Sequence, residues 1–332
     1  MNQQHITVWG AGSWGTALAM VLAKHGRQVH LITRNQAAAD KLNQDGENAR
    51  YLHGIPFPKS LTAIGQEHPD LPQILRQSFA TVLGLPCSAA DIALTRLREF
   101  QHPVIAANKG INPDTLERVD ELLIRFVGVK RTLLLSGPSF AAEVATGKPT
   151  AITLAAADMQ LAREVSQLFD DGSFRVYTST DLVGVALGGA LKNIIAIAAG
   201  MAEGMHLGHN AMAALVTRGI AEISRLAEAC GGQAETMAGL SGLGDLLLTC
   251  TGSLSRNRKM GMALASGLNA EEARKYVGQV VEGERTAVAA VKLAEKYHID
   301  MPITQTVYAV LQGETSPKKA LKALMERPQR DE

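Results

Sequence analysis

The sequence predicts an α/β domain with a mostly parallel, doubly wound sheet, followed by an all-helical domain. Three observations carry that expectation. Through about residue 180, short β-branched runs alternate with longer helical patterns, and strand, helix, strand in repetition builds a parallel sheet with helices on both faces. A glycine-rich turn, Gly10-Ala11-Gly12-Ser13-Trp14-Gly15, separates the first run from the first helix. Beyond about residue 180 the strand signals stop and only helical periodicity remains. A chain of 332 residues has room for roughly two cores, and the change of pattern divides it into 1–185 and 186–332.

Strands are expected at 6–9, 28–33, 80–85, 104–107, 132–135, 150–154 and 175–177. Helices are expected at 13–25 and 88–100, and from Asn112-Pro113, a cap followed by proline in the first turn, to about residue 127. The second half reads as helices at 182–205, 210–229, 234–240, 243–250, 256–265, 270–276, 284–297 and 303–312. Pro302 and Gly231, Gly232, Gly267 and Gly313 punctuate them.

Composition narrows the function classes. Lys and Arg number 33 against 32 for Asp and Glu, a formal charge of +1. No broad field therefore favours nucleic acid or membrane, and any anion must be held by local groups. Cys87, Cys230 and Cys250 form neither a disulfide framework nor a CxxC pair, which fits a reducing compartment. The first residues lack the basic, apolar, small-residue order of a signal peptide. The most apolar stretch, 183–201, is interrupted by Lys192 and Asn193 and reads as too short to span a bilayer. A cytoplasmic protein without a membrane or nucleic-acid partner is expected.

The glycine turn has the context of a dinucleotide-binding Rossmann fingerprint. Gly10 permits the tight turn, Gly12 lets a pyrophosphate approach the backbone, and Gly15 lets the helix pack on the strand. The phosphates would rest on unpaired N–H groups at the positive helix end, beginning at Ser13. Thr33-Arg34 stands where an acidic residue would select NAD. A cation there removes repulsion of a 2′-phosphate, so NADP(H) is favoured with NAD(H) tolerated, unless Arg34 is simply solvated. Trp14 either covers the cofactor or packs at the domain interface.

Ligands of such sheets gather beyond the strand carboxyl ends. Two turns there are candidates. Asn108-Lys109-Gly110 offers an amine, with a solvated loop lysine as the alternative. Ser136-Gly137-Pro138-Ser139 offers a hydroxyl and open N–H groups, with Ser139 as a mere helix cap as the alternative. Lys192 lies in Gly188-Gly189-Ala190-Leu191-Lys192-Asn193-Ile194-Ile195-Ala196, a stretch with little polar face. A buried ammonium is expensive unless it is paired or has a chemical role, which makes Lys192 the candidate for proton transfer. Asp245, after Gly242-Leu243-Gly244, reads as an N-cap or as a group beside a ligand. Ser255-Arg256-Asn257-Arg258 reads as a phosphate grip at a helix start or as a solvated basic patch. His206 and His209 have HxxH spacing but no evident third ligand, so no metal is expected.

Together these segments, with Gly278-Gln279-Val280-Val281-Glu282-Gly283, resemble the bacterial NAD(P)-dependent glycerol-3-phosphate dehydrogenases over nearly the whole chain. Seven motifs in the right order carry the resemblance. It implies reversible reduction of dihydroxyacetone phosphate to sn-glycerol 3-phosphate, feeding glycerophospholipid synthesis, by a homodimer. It implies Lys192 as proton donor and acceptor. It places Lys109, Gly137, Ser139, Asp245, Ser255, Arg256 and Asn257 around the triose phosphate. Around the cofactor it places Ser13, Trp14, Arg34, Lys109, Ala141, Arg256, Val280 and Glu282. Asp245 either orients Lys192 or binds a substrate hydroxyl. Two departures from the family pattern, Gly84-Leu85-Pro86-Cys87 and His209 before Asn210, touch no catalytic position.

Overall fold

The computed structural model describes residues 5–328. Residues 1–4, the start of the segment that lacks a signal-peptide pattern, lie outside that range. The chain forms two compact units. The first comprises residues up to 109 with 119–185, and the second 110–118 with 186 onward. The expected division, 1–185 and 186–332, therefore needs one correction, the segment 110–118. Its Asn112 side chain accepts hydrogen bonds from the backbone of Asp114 at 2.9 Å and Thr115 at 3.2 Å, closing a local turn that competes with helix. Leu116 adopts a left-handed φ of 60°, and the helix expected from Asn112 begins only at Val119 (Val119–Val127). Lys292 donates to the carbonyl of Pro113 at 3.0 Å, which ties the segment to the helix Glu282–Tyr297 of the second unit.

The first unit is built on eight strands: β1 (His5–Trp9), β2 (Val29–Thr33), β3 (Leu61–Gly65), β4 (Ser78–Leu83), β5 (Val104–Ala106), β6 (Thr132–Ser136), β7 (Thr150–Ala156) and β8 (Phe174–Ser179). Their order is β3-β2-β1-β4-β5-β6-β7-β8. Every neighbouring pair is parallel except β6 and β7. A parallel return needs a crossover that runs back along the strand. The only helix between β6 and β7, Ala141–Ala145, has five residues, about 8 Å of rise, so the chain turns back antiparallel instead. Residues 6–9 of β1 and all of β5 and β6 are buried, as expected of strands covered on both faces.

β3 has no counterpart in the sequence expectation. Its run, Leu61-Thr62-Ala63-Ile64-Gly65, is short and only weakly apolar. It is held by full parallel register with β2 and by Asn43, whose amide brackets both the N–H and the carbonyl of Ala63 at 2.8 Å. These are tertiary contacts that override a weak local preference.

The helix Leu182–Gly204 is continuous over 23 residues, and the boundary between the units falls within it. By length and composition it could cross a membrane, which corrects the expectation that the stretch is too short. In the fold, 94% of its most apolar window is buried inside the protein, so packing accounts for its apolarity. The rest of the second unit follows the expected helices within two residues at most ends. A helix at Pro317–Met325 is added, and Leu240–Gly244 winds as a π-turn ahead of the helix Asp245–Thr251.

Candidate active site

In the first unit the glycine turn lies where the strand order reverses, between β1 and β4, the position at which doubly wound sheets bind ligands. Gly10 has φ of 115°, and a Cβ there would lie 2.9 Å from the backbone of Gly84. A Cβ on Gly15 would collide with the carbonyl oxygen of Gly10, so the first helix can meet the turn only through a glycine. A Cβ on Gly12 would meet nothing within 4 Å. That open approach, at the start of the helix Ser13–Ala23, which has no side-chain cap, suits a pyrophosphate on free helical N–H groups. Asn48, 3% exposed and absent from the sequence reading, props the turn. It donates to the carbonyl of Ala11 at 3.0 Å and to the Thr16 hydroxyl at 2.8 Å. The indole N–H of Trp14 donates to the carbonyl of Ala107 at 3.0 Å, anchoring Trp14 on the end of β5 within its own unit.

Arg34 follows β2 and is exposed. Asn35 caps the helix Gln36–Asp45 by accepting from the Ala38 N–H. At the other strand ends, Lys109 is half-buried beyond β5. Gly137 has φ of 148°, and a Cβ there would lie 2.8 Å from Cα of Ile152. Ser139 is not a helix cap. Its hydroxyl donates back to the carbonyl of Gly137 at 2.9 Å, and Phe140 holds the cap position before Ala141.

In the second unit Lys192 is 8% exposed. Its ammonium donates to the carboxylate of Asp245 and, at 2.8 Å, to the hydroxyl of Thr249, which in turn donates to the Asp245 carbonyl at 2.6 Å. Asp245 is 1% exposed. The charge thus has the partner that burial demands. The N-cap reading of Asp245 fails, because Asp245 is itself the first helical residue and its carboxylate pairs with Lys192. Thr249 escaped the sequence reading although it lies four residues after Asp245, on the same helix face. Burial pushes the neighbouring Cys250 thiol up to about 12 against the Lys192 charge, so Cys250 stays a neutral packing group.

The predicted phosphate grip is divided in its roles. Ser255 accepts from the Arg258 N–H and caps the helix Arg256–Ala265. Arg258 forms an ion pair with Glu203, which removes one of the two cations. Arg256 remains exposed, 3.5 Å from the side chain of Gln279. Asn257 donates to Asn193 at 2.9 Å and accepts from the Gly283 N–H at 2.9 Å. Asn193 is thereby a further buried member of the cluster. Val280 is exposed, and Glu282 opens the helix Glu282–Tyr297. Burial raises the Glu282 carboxyl above its ordinary range, with Arg256 and Arg285 opposing. Among the described residues no group of three His, Cys, Asp or Glu side chains could hold a metal, His206 and His209 included.

A glycine cradle at the switch point of a doubly wound sheet and a buried lysine–carboxylate pair in a helical unit define the class of nicotinamide-dependent dehydrogenases. The chain belongs to the NAD-dependent glycerol-3-phosphate dehydrogenase family, whose N-terminal model matches residues 5–162 and whose C-terminal model matches 181–322. It is 45% identical over 333 residues to the glycerol-3-phosphate dehydrogenase [NAD(P)+] of Moorella thermoacetica, covering 99% of this chain and 98% of the relative. It is 45% identical to that of Halorhodospira halophila over 97% and 96% of the two chains. The crystal structure of glycerol-3-phosphate dehydrogenase from Coxiella burnetii superimposes with a TM-score of 0.91 at 38% identity, over 98% and 99% of the two chains.

Proposed function

We infer that this chain catalyses the reversible reduction of dihydroxyacetone phosphate to sn-glycerol 3-phosphate with NADP(H) or NAD(H). The observation that carries the reading is the buried Lys192, held by Asp245 and Thr249. In the first unit Gly10, Gly12, Ser13, Trp14 and Gly15, with Arg34, Lys109 and Ala141, are the residues that would hold the cofactor. The family resemblance also assigns Arg256, Val280 and Glu282 of the second unit to the cofactor. The cofactor, when bound, supplies the hydride that the ketone carbon accepts. Negative charge then grows on the carbonyl oxygen. Lys192 stabilises that charge and delivers a proton from Nζ, and in the reverse direction takes it back. Asp245 orients the ammonium through the carboxylate oxygen that accepts from Lys192.

Arg256, Asn257 and Ser255 bind the phosphate, and the family resemblance also assigns Lys109, Gly137 and Ser139 of the first unit to the substrate. Fixing the phosphate orients the ketone. The same reading gives the first unit most of the cofactor contacts and gives the second unit Lys192 and the phosphate-binding residues. It also assigns a cytoplasmic homodimer that supplies the glycerol phosphate of phospholipids. The test is oxidation of NADPH, then NADH, followed by the loss of reduced-nicotinamide absorbance on adding dihydroxyacetone phosphate. Turnover is expected with that compound and absent with unphosphorylated dihydroxyacetone. Equal turnover of both compounds would overturn the phosphate grip, and none with either would overturn the reaction.

A further inference from the structure

Two buried polar atoms at the carboxyl edge of the sheet make no hydrogen bond among the described residues. They are the side-chain oxygen of Asn108 and the hydroxyl of Ser136. Ser136 is 5% exposed and ends β6. Asn108 follows β5, and its Nδ2 donates to the sulfur of Cys87 at 3.2 Å. The two belong together. β5 and β6 pair as Val104 with Thr132, Ile105 with Leu133 and Ala106 with Leu134, and the same register, continued two residues past the end of β5, would set Asn108 opposite Ser136. On that continuation the even spacing sets both side chains on one face of the sheet, and neighbouring strands lie about 5 Å apart.

Their place in the sheet identifies what they meet. The glycine turn after β1 holds the pyrophosphate at the reversal of strand order, and Arg34 marks β2 as the adenosine side. The other half of a dinucleotide then extends over the ends of β4, β5 and β6. Trp14, next to the turn, is bonded to Ala107, one residue before Asn108. Their chemistry narrows it further. An amide oxygen can only accept, and a hydroxyl can donate. An anion would be repelled by the former, whereas a neutral group carrying both an N–H and a carbonyl satisfies the two at once. Buried polar groups without a protein partner are costly and call for such a ligand.

We propose that Asn108 and Ser136 form the recognition pair for the primary carboxamide of the nicotinamide ring. Asn108 Oδ1 accepts from the carboxamide N–H, and Ser136 Oγ donates to the carboxamide oxygen. The pair thereby sets the rotation of the ring and the face it offers. This proposal rests on the dehydrogenase reading above.

The test is equilibrium binding to the full chain, to Ser136→Ala and to Asn108→Ala. The ligands are NADPH, its 3-acetylpyridine analogue, and 2′-phospho-ADP-ribose, which lacks the ring. Each substitution is expected to weaken NADPH about fivefold, the worth of one hydrogen bond, and to leave 2′-phospho-ADP-ribose unchanged. The acetyl group keeps the carbonyl but has no N–H, so its analogue should respond to Ser136→Ala and not to Asn108→Ala. Ser136→Ala removes a hydroxyl that bonds nothing among the described residues, so its melting temperature should hold. It keeps the test decisive if Asn108→Ala, which also loses Cys87, fails to fold. NADPH affinity unchanged by Ser136→Ala, or weakened equally with 2′-phospho-ADP-ribose, overturns the pair alone. A wild-type chain that binds none of the three ligands overturns the dehydrogenase reading and the pair with it.

Discussion

The glycine turn of the first unit and the Lys192 cluster of the second are built in opposite ways. The turn is backbone chemistry. It takes three glycines within six residues, and the closest clash at Gly10 and at Gly15 is with main-chain atoms. The cluster is side-chain chemistry, assembled from Lys192, Asp245 and Thr249 on two helices some fifty residues apart in sequence. A backbone site tolerates no added atom at its close contacts. A side-chain site depends on each group having its partner in a dry environment. The two kinds of site should therefore fail differently.

The largest expected effect is on the side-chain site. Lys192→Ala should lower kcat by roughly 10²–10⁴, the range for losing a general acid, while NADPH affinity stays near wild type. Steady-state rates together with cofactor titration check this, and a fully active variant would sink the proton-transfer role.

A second side-chain feature sharpens the contrast through pH. Glu222, 1% exposed, accepts from the backbone of Ile303 at 2.7 Å and from the N–H and hydroxyl of Thr304, each at 3.1 Å, and so caps the helix Pro302–Leu311. Burial raises its carboxyl from 4.5 to about 7, with these hydrogen bonds and Arg225 opposing. Because the folded form holds the proton more tightly, stability falls as pH rises through the window between those two values. The loss approaches ~3 kcal/mol and levels off above the folded value. Urea unfolding at pH 5 and pH 8 should show that slope, and Glu222→Gln, which cannot ionise, should flatten it.

The backbone site should break sterically. Gly15→Ala drives a methyl into the Gly10 carbonyl and should cost about 1–3 kcal/mol, together with NADPH binding. Thermal melting and titration measure both, and an unperturbed variant would mean the turn can relax. The smallest expected effect lies at the exposed edge of the cofactor site. Arg34→Asp should shift the ratio of kcat/KM from NADPH towards NADH by about tenfold, one charge-assisted contact. An unchanged ratio would leave Arg34 as a solvated cation.

Legibility in the sequence follows the same division. Gly10, Gly12 and Gly15 were readable because each role is local: a turn, an approach, a packing contact. Lys192 was readable because an ammonium in an apolar run violates the cost of burial. The partner of Lys192 was open. Asp245 looked like a cap, since capping depends on where a helix starts, and here a π-turn moves that start. Ser255 to Arg258 read as one grip, yet Glu203 takes Arg258 and the hydroxyl of Ser255 accepts from its own helix. β3, Asn48 and the segment 110–118 carry weak or misleading local signals, and each is held by contacts distant in sequence.

By itself, then, the sequence determined the two-part architecture, the dinucleotide turn and the identity of the buried lysine. These rest on periodicity, glycine spacing and the penalty for burying charge, all of which act over a few residues. Only the tertiary structure decided which carboxylate pairs with Lys192, which arginine stays exposed, how β6 meets β7 and which buried atoms are left for a ligand. Such choices are settled by competition among groups far apart in the chain, and folding alone brings those groups within hydrogen-bonding distance.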